Sequence, residues 1–314
     1  MRNVTIREIR HNDVKDVCIL LDSCFHDEYR TLDFDIMEYN IPFRVISIIN
    51  TVLRKFGLEF MKVFVAECEN KIAGISIGYR YDCNIWYYGF FATHPDYRGL
   101  GIYNKLMSAH LKAARDRKNS RMVCEIVEGN NGPLHVWIDK LKATKTSISS
   151  VYILDPKKNK SSKKINFVES YIPEDLSVDY KPLTYSKYSR SRSLLDCIFK
   201  WLVPPTMIKT VAYKEENKTQ FFARIMVAYP SKMIKVDLIR HNSSDNLSDI
   251  FSSFISYLTK MTEKKILIYV LADDKKLKTI CESFHLKYFY DTNSLEFTIS
   301  KWNFVDIKFS RAKL

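Results

Sequence analysis

The sequence predicts an α/β chain of the α+β kind in two similar halves, and three observations carry that prediction. Strand-like and helix-like runs alternate along 314 residues, a length natural for two domains of ordinary size. An aromatic strand, Ile85–Phe91, turns through paired glycines into an amphipathic helix that repeats Leu106, Met107, His110, Leu111 and Ala114 at helical spacing. Val63–Lys71 also aligns with Thr210–Lys218 at an offset of 147, for which internal duplication is the simplest explanation.

Apolar alternation marks strands and 3.6-residue apolar spacing marks helices. In order, this gives strand 3–9, helix 12–25, a further helix near 42–56, and strands 61–69, 72–81 and 85–93. Helix 101–117, strand 120–127, helix 132–142 and strand 147–154 follow. The charged turn Pro156–Lys164 then leads into a strand over 165–169. The same offset carries strand 85–93 onto 232–240 and helix 101–117 onto one from about Asn246 to Lys260. Ile266–Leu271 and Leu277–Phe284 stand for the next strand and helix. The expected domains are residues 1–172 and 173–314.

Composition narrows the function classes. At 46% apolar and 27% charged residues the chain has ample material for a core. No segment approaches the ~18 uninterrupted apolar residues of a membrane helix, and the start Met-Arg-Asn-Val-Thr-Ile-Arg-Glu lacks an apolar signal core, so the chain reads as cytoplasmic. Seven cysteines, at 18, 24, 68, 83, 124, 197 and 281, include no Cys-x-x-Cys pair, which argues against zinc and against a disulfide framework. The net charge of +13 sits in the second half: residues 157–314 carry 28 Lys+Arg against 17 Asp+Glu, and residues 1–156 carry 21 against 19. It reads as ordinary Lys-rich surface rather than as a nucleic-acid or membrane footprint.

All eight glycines lie between Gly57 and Gly132, so any glycine-dependent site belongs to the first half. At Arg98-Gly99-Leu100-Gly101-Ile102-Tyr103 a strand gives way to a helix, whose first amides have no partner within the helix and sit at the positive end of its dipole. Main chain alone can hold a diphosphate there, and glycines remove the side chains that would block it.

The stretch His94-Pro95-Asp96-Tyr97-Arg98-Gly99-Leu100-Gly101-Ile102 closely resembles motif A of the Gcn5-related N-acetyltransferase (GNAT) superfamily. That motif reads Arg or Gln, two residues, Gly, one residue, then Gly or Ala; its last position here is Tyr103. The order of predicted elements matches the superfamily fold, which implies that each half is a mixed, mostly antiparallel twisted sheet flanked by helices. The resemblance implies acetyl-CoA or another acyl-CoA as donor, its diphosphate on the amides of Gly99 to Tyr103. Its pantetheine arm would run in a cleft between Phe91, Ala92 and Thr93 on one wall and Glu125 to Val127 on the other. An oxyanion would meet a backbone N–H near Phe91 or Ala92.

After the second wall the family shows Asn, then a helix with a Tyr that protonates the departing thiolate. Here Asn130 or Asn131 supplies the amide, and the tyrosine position falls on Trp137 or on Ile138 accordingly. Neither is a phenol; His135, Tyr87, Tyr88 and Cys124 are the replacements within reach. Glu125, a carboxylate on a central strand, is the candidate general base. Five carboxylates, Asp27, Glu28, Asp33, Asp35 and Glu38, lie where the superfamily places its acceptor loop and would suit a cationic amine such as a polyamine or basic peptide. In the second copy the loop His241–Ser248 has no glycine and carries Asp245 where a phosphate would lie, so that copy is expected to keep the fold without the cofactor site.

The expected function is therefore acyl-CoA-dependent N-acyl transfer to a primary amine by the first repeat, the second being a scaffold or acceptor platform. Two alternatives are a CoA-binding sensor without turnover and a long-chain acyltransferase with Trp86, Phe90 and Trp137 lining a lipid tunnel.

Overall fold

The computed structural model describes residues 2–56, 59, 61–82, 85–115, 121–159, 165–169, 206–216, 218–228, 232–242 and 246–298. Two compact units emerge, and they do not divide at residue 172. Among the described residues, the first contains those within 2–31, 35–146 and 294–298, and the second those within 32–34 and 147–293. The expected boundary is thus corrected to a point inside strand β6, Thr144–Leu154, and the first unit takes the end of β12, Lys287–Thr298. The offset aligned the body of each repeat and carried no information on which unit the closing strand joins.

In the first unit the sheet runs β1 (Val4–Glu8), β2 (Met61–Cys68), β3 (Lys71–Asp82), β4 (Ile85–Thr93), β5 (Arg121–Val127), then residues 294–298 of β12. Among the pairs from β1 to β5 all are antiparallel except β4 with β5, which is parallel. A parallel neighbour needs a crossover, and α3 (Ile102–Arg115) supplies it, burying Leu106, Met107, His110, Leu111 and Ala114. Arg121 closes the β12 edge, its Nε 2.7 Å from Glu296 Oε1. Helices α1 (Val14–Thr31) and α2 (Asn40–Arg54) precede β2. Helix α1 runs six residues past the expected end, with non-helical φ/ψ at Phe25 inside it.

The expected helix 132–142 forms differently. A single α turn, α4 (Asn131–Leu134), continues as a π-helix over His135–Lys140, with Leu141 N–H bonded to Val136 O at 2.9 Å. Val136, Trp137 and Leu141 are all buried in the core along this turn.

The second unit orders β6, β11 (Ile266–Leu271), β10 (Met233–His241), β9 (Lys218–Ala228), β8 (Thr206–Glu215) and β7 (Val168–Glu169), with α5 (Leu247–Thr259) and α6 (Lys275–Ser283). Again only β10 with β11 is parallel among the pairs set by a register. Its core gathers Phe221, Phe251, Phe254 and Ile268 around α5.

The offset of 147 recurs in the strand register. Hairpin β2–β3 closes at Cys68↔Lys71 and shifts register between Ala66 and Glu67; β8–β9 closes at Glu215↔Lys218 and shifts between Tyr213 and Lys214. A bulge adds a residue and bends its strand, so repeating one at the same offset repeats a shape as well as a pattern.

Candidate active site

Strands β4 and β5 pair over Ile85↔Arg121, Trp86↔Met122 and Tyr87↔Val123, and the register ends there. Beyond it β4 stays paired with β3, bulging at Gly89 between Ile77↔Phe90 and Gly78↔Tyr88. A Cβ on Gly89 would lie 2.7 Å from Tyr87 Cε1, so a larger residue in the bulge would displace that ring. The strands therefore part, leaving a gap between Tyr88–Thr93 and Cys124–Val127. His94 N–H donates to Ala73 O at 2.9 Å. Since residues alternate along an antiparallel ladder, the main chain of Ala92 also turns to β3, and that of Phe91 and Thr93 turns to the gap. This corrects the expectation for Ala92, whose polar groups serve the sheet.

At the mouth of the gap, Pro95–Tyr97 form a short 3₁₀ turn and Arg98 is exposed. Gly99 and Gly101 follow at φ +81° and +69°, with nothing within 4 Å of an added Cβ. That backbone is strained for any residue with a Cβ, and the space in front of it is open. The first helical bond is Lys105 N–H to Gly101 O at 3.1 Å, so the amides of Ile102, Tyr103 and Asn104 precede it without an intrahelical acceptor. Ile102 holds this helix start against the sheet. A Cβ on Gly74 would meet Ile102 Cγ2 at 2.6 Å, so glycine there permits the approach. Leu100 packs against the neighbouring core, while the Asn130 and Asn131 side chains are exposed at the start of α4. Asn130 makes no side-chain capping bond.

The two faces of the gap differ. On the α3 face Trp86, Tyr88, Cys124 and Ile126 are buried with Met107, Leu111 and Trp137. Tyr103 enters this cluster from α3, its ring centroid 4.8 Å from that of Phe91, and its hydroxyl accepts the Trp137 Nε1–H bond at 3.1 Å. On the opposite face lie Tyr87 and Glu125, with Tyr87 Oη–H reaching Glu125 Oε2 at 3.4 Å, the outer edge of a hydrogen bond. Phe90 and Val127 are exposed.

The remaining sequence candidates take other places. His135 lies on the surface, its Nδ1 2.6 Å from Asp139 Oδ2 one turn on. Cys124 is a core residue whose thiol burial pushes well up. Trp86 and Trp137 are sealed in the core while Phe90 faces the other side, so the three do not line one tunnel. Of the acidic segment, Asp33 lies 3.3 Å from Lys265 and Asp35 accepts Met37 N–H at 2.8 Å, so these carboxylates are engaged within the protein. Cys83, Cys197 and Asp245 lie outside the described residues.

Two features escaped the sequence reading. The Tyr103–Trp137 bond joins two positions read separately as departures from the family pattern. Cys24 Sγ approaches Thr93 O at 3.5 Å, placing α1 beside the gap; burial pushes that thiol up, opposed by Ser23 and by the charge of Arg98. A cavity of about 360 Å³ lies elsewhere in the first unit, lined by Glu8, Arg10, Asn50, Arg54, Glu59 and Lys62 among others and by no residue of β4, β5 or α3.

The second unit has a related gap: β10 and β11 pair only from Ile234↔Ile266 to Val236↔Ile268. Across its end His241 Nε2 meets Asp274 Oδ2 at 2.8 Å, and Asp274 Oδ1 caps α6 through Leu277 N–H at 3.0 Å.

Residues 15–139 match the Acetyltransferase (GNAT) family. This segment is a GNAT domain. Over the whole chain the fold resembles a Gcn5-related N-acetyltransferase from Sphaerobacter thermophilus, at 10% identity and a TM-score of 0.59, covering 94% of this chain and 96% of that one. A tandem GNAT protein from the clavulanic acid biosynthesis pathway gives 10% identity and 0.59, covering 95% and 99%. A putative acetyltransferase from Pyrococcus horikoshii gives 12% and 0.58, covering 95% and 91%. No curated protein sequence matches the chain. The parted strands and the Gly99–Gly101 turn both fall inside the GNAT domain. Among the described residues no helix is long and apolar enough to cross a membrane, and no three His, Cys, Asp or Glu side chains converge as metal ligands.

Proposed function

We propose that the GNAT domain binds one acyl-CoA per chain and transfers its acyl group directly to a primary amine. The observation that carries this reading is the gap that opens past Tyr87↔Val123 and leads into a turn of two glycines at positive φ. Its residues fit the ligand. Amides from Gly99 to Tyr103 offer a diphosphate donors at a helix start, and the main chain of Phe91 and Thr93, Thr93 O being also approached by Cys24 Sγ, offers an amide-bearing arm a strand edge. Acyl-CoA supplies an acyl carbon activated as a thioester. Phe91 N–H, pointing into the gap, would stabilise the oxyanion formed on attack, and Glu125, on the face opposite α3, would take the amine proton.

The second unit serves as scaffold or acceptor platform in this reading. The His241–Asp274 pair spans the end of its gap, and the loop before α5, the counterpart of the Gly99–Gly101 turn before α3, holds no glycine. Calorimetric titration of the full chain with CoA is expected to give one site. Gly101→Ala is expected to weaken it about tenfold, the cost of placing a Cβ at positive φ. Release of free thiol from acetyl-CoA should depend on added amine. Absence of CoA binding would overturn the reading, and two equal sites would overturn the division of roles.

A further inference from the structure

Helix α2 buries one face and leaves another apolar face bare. At about 100° per residue, Ile41, Val45, Ile48, Val52 and Phe56 fall within an arc of about 80°. All five are 50–74% exposed, and Met37, four residues before Ile41, continues the row at 38%. The buried positions of the same helix are Ile46 and Ser47, so the exposed row is distinct from the face that packs on the core. Single exposed apolar residues are ordinary, whereas six aligned in one row mark an interaction surface.

Charge indicates what covers it. Residues 39–58 contain no Asp or Glu and three cations, Arg44, Arg54 and Lys55. Arg44 and Lys55 are exposed along one border of the row, and neither forms an ion pair among the described residues. Ile48 and Val52 also line the cavity of about 360 Å³, where Arg10, Arg54 and Lys62 outnumber Glu8 and Glu59. A second copy of the chain would set the same cations against these. The apolar run Leu194–Val203 of this chain, outside the described residues, belongs to a stretch, 187–203, with four Lys+Arg against one Asp. Neither complements the row. An anionic lipid surface does, because it takes apolar side chains below its headgroups and holds cations among them.

We propose that α2 is an interfacial helix that docks the first unit on an anionic membrane surface, with Ile41 to Phe56 inserted and Arg44 and Lys55 at the phosphates. Its 15 residues span about 22 Å, so it lies in the interface and does not cross it. No residue of the row lies on β4, β5 or α3, so docking and acyl-CoA binding stand or fall separately.

The test sediments the full chain with vesicles of phosphatidylcholine alone and of phosphatidylcholine with an equal part of phosphatidylglycerol. The intact protein is expected to bind the mixed vesicles about tenfold more tightly. The triple variant Ile41→Gln, Ile48→Gln, Val52→Gln keeps every charge and favours the helix, and is expected to lower that binding about 10²-fold. Arg44→Gln with Lys55→Gln is expected to lower it about tenfold. Both variants should keep the urea midpoint of the intact protein, since these side chains face solvent. Equal binding to the two kinds of vesicle would overturn the proposal. So would a triple variant that binds like the intact protein, which would assign vesicle binding to the basic second half. A dimer that the triple variant dissolves, without vesicle binding, would overturn it in favour of a second copy.

Discussion

Replacing Glu125 by Gln is expected to lower kcat about 10²–10⁴-fold while leaving CoA affinity unchanged. The carboxylate sits on β5 just beyond the last residue paired with β4, at the point where the strands part. Alternation along β5 turns Cys124 and Ile126 to the α3 core and Glu125 to the other face, beside Tyr87. Gln keeps the shape and still accepts a bond from Tyr87 Oη, but it cannot take a proton from an attacking amine. Only the proton-transfer part of the barrier is removed, which is why binding should not respond. Tyr87→Phe separates this from a purely structural role. If Glu125 only anchors Tyr87, Glu125→Gln, which keeps that bond, should lose no more than Tyr87→Phe; if it is the base, Glu125→Gln should lose far more, while Tyr87→Phe keeps activity within about tenfold. Steady-state thiol release with an amine, alongside CoA titration, reads both.

What the sequence made legible was whatever depends on main chain and local pattern. The turn at Gly99 and Gly101 could be read because positive φ restricts residue choice at that position, and the structure has φ +81° and +69° there. The duplication could be read because a hairpin and its bulge depend on local spacing, so both recur at one offset. Long-range choices stayed hidden. Which unit receives the end of β12 depends on strand pairing across more than a hundred residues, such as Arg121 with Glu296. The orientation of Ala92 depends on the ladder to β3, which composition does not report. The π-helix at His135–Lys140 shifts the buried face by a bond pattern that helical periodicity does not encode. The Tyr103–Trp137 contact left one trace, two simultaneous departures from the family pattern 34 residues apart. Each reads as a loss by itself, and together they fit as acceptor and donor of one bond.

His110 is expected to make stability fall between pH 6.5 and 4.5 more steeply than in a His110→Phe variant. The ring is 1% exposed on α3, with Nε2 2.8 Å from Ser76 Oγ and the rings of Phe64 and Tyr88 each 4.8 Å away. Burial, the largest cause, holds its pKa down at about 3, against 6.5 for the free side chain. In that interval the unfolded chain binds a proton that the folded one refuses. The neutral ring therefore contributes its full stability above pH 6.5, and that contribution drains away as pH falls toward 3. The slope approaches about 1.4 kcal/mol per pH unit, or about 3 kcal/mol by pH 4.5. Glu8, Asp13 and Asp274 shift the other way. Burial raises each, but Arg54, Arg7 and His241 outweigh it, so their contribution is lost only below the ordinary carboxylate range. The window above pH 4.5 thus isolates the histidine. Urea unfolding of both proteins at pH 6.5 and 4.5, followed by tryptophan fluorescence, measures the difference, and parallel losses in the two proteins would sink the assignment. The functional consequence follows from position. Phe91, whose main chain faces the gap, lies with its ring centroid 5.8 Å from that of His110, so the ring packed beneath the site stays uncharged in the folded protein over this window.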